Sequence, residues 1–154
     1  MAKIDSGLGR LQKRLSAIPK KVKADVQPAL LKGAEDMVAD MKRLAPRDDG
    51  DLIESITSTA AGHKTPAHSQ PGGSAVVPDN AVAVTAGNTK VRYAHLVEYG
   101  SRSHVNGGLF AGTTRPGTEA SPYFWPGYRL NRKKVAARIK RAVGKAVKGH
   151  NSGN

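Results

Sequence analysis

Leu44-Ala45-Pro46-Arg47-Asp48-Asp49-Gly50-Asp51-Leu52-Ile53-Glu54-Ser55 is the stretch on which the fold turns. Upstream of it, Val22, Val26, Leu30, Ala34, Met37, Met41 and Leu44 recur at intervals of three or four, the spacing of one apolar helix face. Pro28 lies inside that span without the donor a helix interior needs, so the reading is either a kink there or a helix that starts near Gln27. Pro46 ends the helix, because a residue before proline is pushed out of the α region. Asp48-Asp49-Gly50 then reads as a turn, with aspartates to bond nearby amides and a glycine to supply positive φ. Past the turn, Ile53 to Ala61 reads as a strand on the extended preferences of Ile56, Thr57 and Thr59.

Outward from this hinge the rest of the chain follows. Leu8, Leu11, Leu15 and Ile18 predict a short amphipathic helix before Pro19, an arm over residues 1–20. Residues 62–79, rich in Gly, Pro and Ser, read as a long mobile loop. Ala81 to Ala86 alternates as a second strand, and Val91 to Tyr93 reads as a third strand or its edge. Ala94 to Tyr99 fits a single helical turn closed by Gly100 better than it fits alternation. Residues 101–121 form a second long loop. A last helix starts at Pro122 or Tyr128 and reaches Val147, with Tyr128, Val135, Ile139, Val143 and Ala146 on one face. The predicted architecture is α+β: a small antiparallel sheet packed against a long N-terminal helix and a basic C-terminal helix, with two long loops. It occupies residues 1–148 as one domain, followed by a frayed tail over 149–154.

Charge narrows the partners. The 154 residues carry 25 Lys+Arg against 12 Asp+Glu, a formal charge of +13, which calls for an acidic partner such as DNA or an acidic protein face. The two ends are strongly positive, whereas the segment between Asp25 and Glu54 is net negative. Ends and middle of opposite sign can attract neighbouring copies of one chain. There is no cysteine, so disulfide and thiolate chemistry are excluded. Nothing approaches the roughly 20 apolar residues of a membrane-spanning helix. Met1 to Ser6 opens no apolar run of signal-peptide length, which makes synthesis in the cytoplasm the expectation.

Reaction chemistry fares poorly. His63 and His68 sit in a Gly/Pro/Ser loop with no carboxylate to orient either ring, unlike metal-ligating histidines. His95 and Glu98 lie one helical turn apart, but no nucleophile or oxyanion device accompanies them, and a structural or interface hydrogen bond explains them better. Asp48, Asp49 and Asp51 resemble a calcium loop only superficially, because the bidentate Glu of the EF-hand pattern is absent at its position. Gly72-Gly73 and Gly107-Gly108 are not followed by the Gly-Lys-Ser/Thr of a phosphate loop. The sequence therefore offers no catalytic, cofactor or metal residues.

Two surfaces remain. Arg129, Arg132, Lys133, Lys134, Arg138, Lys140, Arg141, Lys145 and Lys148 cover the polar face of the last helix, a pattern that binds phosphate without base preference or docks on acidic protein. Tyr123-Phe124-Trp125 places three large rings in a row between prolines. They cannot all turn inward from one helix face, so they either plug the end of the sheet or anchor an interface.

Three segments, in order, resemble the tail-component family of lambdoid and other long-tailed double-stranded DNA phages, known as head–tail joining, neck, tail-completion or tail-terminator proteins. They are Ala45-Pro46 with Gly50-Asp51-Leu52 and Ser55-Ile56; Tyr93-Ala94 with Val97-Glu98-Tyr99-Gly100-Ser101; and Pro122-Tyr123-Phe124-Trp125-Pro126. Asp49 stands where that family usually has Thr, and Gly127 where it has Ala. The resemblance spans residues 27–148 and implies a structural virion protein of the head–tail junction, made in the host cytoplasm. It implies a homo-oligomeric ring of about six copies that meets neighbouring neck, connector and tail-tube proteins and the DNA passing through. Interface residues on this reading are Glu98, Tyr99, Arg102, Arg115, Tyr123, Phe124 and Trp125, with the basic helix facing DNA or an acidic partner. A free, nonspecific DNA-binding accessory protein is the competing reading.

Overall fold

A computed structural model describes residues 20–151, with side chains from Val22 to Lys148. The expected helical arm over residues 1–20 lies essentially outside that range. The architecture is α+β, as the sequence predicts. Helix α1 is Lys20–Leu44 and α2 is Asp51–Ser55. Strands β1 (Thr57–Thr59) and β2 (Ala83–Thr85) pair antiparallel with Thr57 opposite Thr85. Next come α3 (Ala94–Tyr99) and a small hairpin of β3 (His104–Val105) and β4 (Thr114–Arg115). The last helix, α4, spans Phe124–Asn151.

The two long helices pack against each other antiparallel. Met41 near the end of α1 meets Gly127 at the start of α4, while Val22 and Val26 share a small core with Ala146 at the other end. Two glycines set the spacing. A Cβ on Gly33 would lie 2.7 Å from Val135 Cγ1, and one on Gly127 would lie 2.6 Å from Met41 Cγ and 3.1 Å from its backbone nitrogen. Gly127, the departure from the resembling family, thus stands where α1 leaves no room for the alanine methyl. Between these points Asp36 of α1 accepts ion pairs from Arg138 at 2.8 Å and Lys134 at 3.2 Å. Buried Asn131 donates to Asp40 Oδ2 at 2.7 Å and to the Gly127 carbonyl.

Several local readings change. Helix α1 runs through Pro28 and is already formed at Lys20, so it does not begin near Gln27. The segment starting at Ile53 is not a strand: Asp51–Ser55 is a helical turn, and the strand covers only Thr57–Thr59. The reason is burial, since Leu52 and Ile56, four apart, both enter the main core. Ser55 fixes the turn by donating to the Leu52 carbonyl at 2.7 Å and accepting from Gly87 N–H at 3.0 Å. Gly50 supplies the positive φ, 87°, and Glu54 N–H closes on its carbonyl. Val91 is a core peg rather than a strand residue, held by Asn88 Oδ1, which accepts from the Lys90 and Val91 amides. The 62–79 excursion, expected to be mobile, carries its own hydrogen bonds. Gly62 N–H donates to Val77 O, Val77 N–H to His63 O, and Gln70 and Ala86 exchange both of theirs.

Candidate functional site

The three motif segments meet. Met41 and Ala45 from the end of α1, Leu52 and Ile56 from the turn, Ala94 from α3, and Tyr123 and Phe124 from the lead-in to α4 form one core with Ala86 and Val91. At its centre sits Glu98, 6% exposed. Its Oε2 accepts from the amides of Tyr123 and Phe124 at 2.8 Å each, and Oε1 accepts from the Trp125 amide at 3.2 Å. The first amides of any helix lack intrahelical partners, and a carboxylate also complements the positive end of the helix dipole. Here the cap comes from a different helix, α3. Glu98 therefore ties α3 to α4, and the same carboxylate is fully occupied by that task.

Tyr123 is 1% exposed and its hydroxyl donates to the Ala94 carbonyl at 3.3 Å. Burial first, then the neighbouring Glu98 carboxylate, pushes its phenol well above the ordinary tyrosine range. The rings of Tyr123, Phe124, Trp125 and Tyr128 make successive edge-to-face contacts. The two sequence readings of this cluster divide between its members: Tyr123 and Phe124 plug the core, while Trp125 stays partly out and donates its indole N–H to the Tyr99 hydroxyl at 2.6 Å. Of the seven predicted interface residues, Glu98, Tyr123 and Phe124 are thus spent internally, whereas Tyr99, Trp125, Arg102 and Arg115 are surface groups. His95 is exposed, and the cavity it lines with Glu98, Gln70 and Trp125 has a volume of about 70 Å³. That is room for water rather than for a typical small-molecule substrate.

The 101–121 loop is a built arm. Its root is a bridge in which Ser101 and Thr118 exchange amide hydrogen bonds at 2.9 and 3.0 Å. Gly100, at φ 72°, packs so tightly there that a Cβ would lie 2.7 Å from the Thr118 carbonyl oxygen. Beyond β3 and β4 the tip is clasped: the Asn106 amide N–H donates to Thr113 O, its side chain donates to Thr113 Oγ1, and Thr113 Oγ1 donates to Phe110 O. This clasp holds Leu109 95% and Phe110 67% exposed, with Val105 also at 67%. The sequence signalled a loop here and carried no sign that its tip is shaped by the Asn106–Thr113 hydrogen bonds.

The basic helix splits in two. Lys134 and Arg138 turn toward Asp36, and the ion pair with Arg138 above all holds that carboxyl below its ordinary range against the opposing effect of burial. Arg129, Arg132, Lys133, Lys140, Arg141 and Lys145 remain exposed. Among the described residues no group of three His, Asp or Glu is placed to hold a metal ion, and no helix is long and apolar enough to cross a membrane.

Comparison with known proteins adds one match. The family model described as "Bacteriophage HK97-gp10, putative tail-component" matches residues 9–100, more than half of the chain. No curated protein and no solved structure matches.

Proposed function

Because the chain belongs to the HK97-gp10-like family of phage tail components, we propose that it is a structural subunit of the virion's head–tail junction. On this reading it completes or terminates the tail as one copy in a ring of about six. The observation that carries the proposal is the clasped arm, whose apolar tip is left largely uncovered by the described residues. Exposing large apolar side chains on a projecting tip has a cost in solubility, and this is offset when a neighbour covers them. The Glu98 carboxylate, engaged by three amides, is unsuited to acid–base chemistry, which agrees with a role without catalysis. Neighbouring connector and tail-tube proteins are the expected contacts beyond the ring. Deleting the protein tests the reading: filled heads and separate tails that fail to join are expected, and normal infectious particles would refute it.

A second reading rests on the exposed bases of α4, Arg129, Arg132, Lys133, Lys140, Arg141 and Lys145 among them. They suit the DNA that passes through the junction or, in a free protein, duplex DNA at large. Phosphate neutralisation of this kind weakens steeply with salt. Changing Arg132, Lys133, Lys140 and Arg141 to Gln is expected to flatten that dependence; duplex affinity that is absent in the unchanged protein would remove the reading.

A further inference from the structure

We infer that the arm of one copy docks on the acidic face around Tyr93 of the next copy, an assignment that rests on the ring reading above. The arm presents Val105, Leu109 and Phe110 with two guanidiniums, Arg102 and Arg115, that have no ion-pair partner among the described residues. Glu119 is the arm's one acid. A face of matching chemistry lies on the same chain. Asp48, Asp49 and Glu54 are exposed there and likewise unpaired, while Asp51 is engaged by Lys90 at 2.8 Å. Tyr93 and Leu96 supply exposed apolar surface on this face. The Lys90–Asp51 ion pair brings the Asp48–Asp51 turn beside the segment that leads into Tyr93, and the Tyr93 phenol is raised by burial first and then by Asp51, Asp49 and Asp48. Against the four acids stand Arg47, Lys90 and Arg92, so the face keeps an excess of one acid where the arm, with Arg102 and Arg115 against Glu119, has an excess of one base.

Charge complementarity favours a second copy as the occupant, because both halves of the contact are carried by every subunit. A patch that fits a different patch on an identical neighbour makes a head-to-tail contact, the type that closes rings. Three large side chains bury little area, so one such contact is weak alone and gains when ring closure makes several of them intramolecular. Opposed charges on the rim set orientation and fade as salt screens them.

The absence of cysteine makes the test clean. A Leu109→Cys/Tyr93→Cys double variant, exchanged into purified particles and mildly oxidised, is expected to run as a ladder of linked chains on a nonreducing gel. Each single variant is expected to stay unlinked. Adding Asp48→Lys and Asp49→Lys to the double variant should cut the ladder at least several-fold, and raising salt before oxidation should do the same. Dimers from Leu109→Cys alone would show a tip-to-tip contact and overturn the inference, as would an unlinked double variant in particles that contain the protein. Particles that lack the protein altogether would instead fail the head–tail reading itself. Melting curves matching the unchanged chain exclude misfolding as the cause of a lost ladder.

Discussion

Around Glu98 one carboxylate meets three amides, Tyr123 and Phe124 turn their rings inward, and the chain's own segments fill the space. A few residues further on, from Ser101 to Thr118, the polar groups bond to one another and the apolar ones point away. Both regions are well hydrogen-bonded. They differ in where the hydrophobic side chains go, and on the ring reading proposed above that difference separates what a single chain needs for folding from what it holds out to another. A core residue already has its partners, so its loss is felt in the isolated protein. An apolar residue at the arm's tip has no place in the core clusters, so its loss is expected to be felt on assembly under the ring reading.

Removing the cap should break this comparison most forcefully. Glu98→Ala strands two buried donors and a partly buried third, costly groups to leave unmade, and is expected to lower stability by about 3 kcal/mol or more. For a domain of this size that corresponds to a fall in melting temperature of roughly 10 °C. A change below about 1 kcal/mol would mean that the node is not what holds α4 in place.

Next in size is Gly127→Ala. Alanine gains about 1 kcal/mol in helix propensity, but its methyl would press on Met41, and overpacking of this kind costs about 1–3 kcal/mol. A net loss in denaturant midpoint is expected, and a gain would show that α1 can move aside.

Asp36 gives a smaller effect with a definite sign. Its folded carboxyl lies below the ordinary 3.8, chiefly through Arg138, so its contribution is fully present above that value and is lost as pH falls through the lower folded one. Asp36→Asn should therefore be less stable than the unchanged chain at neutral pH, with the gap closing on acidification. Urea melts at both ends of that window measure it.

The smallest expected effect sharpens the contrast from the other side. Leu109→Ser with Phe110→Ser should leave the melting temperature of the isolated chain within the change expected for about 0.5 kcal/mol, because both side chains are largely exposed among the described residues. A large drop would make the arm part of the core.

Reading the sequence succeeded where local chemistry decides. Pro46, the Gly50 turn, the helical turn closed by Gly100 and the lead-in at Tyr123 each carry their instruction within a few residues. Failure came where tertiary burial overrode propensity: Ile56, Thr57 and Thr59 suggested a strand from Ile53 onward, which holds only for Thr57–Thr59, yet the Leu52–Ile56 spacing already held the helical alternative. Glu98 was marked by its motif, but its three partners lie about 25 residues on, and no local pattern distinguishes a cap for another helix from an exposed acid. The same holds for Asp36, whose cations lie on the far helix. Conversely, the uniform run of bases on α4 hid the difference between residues that staple the helices together and those left outside.

Where the arm is fastened also has a mechanical consequence. Gly100 N–H reaches back to the Leu96 carbonyl and Ser121 N–H to that of Val97, so both strands of the hairpin leave from neighbouring residues of one short helix. A pull on the tip is shared between the two strands instead of peeling one away. It then passes through the Glu98 clasp into the paired long helices, so that tension on the projecting finger loads the spine of the subunit.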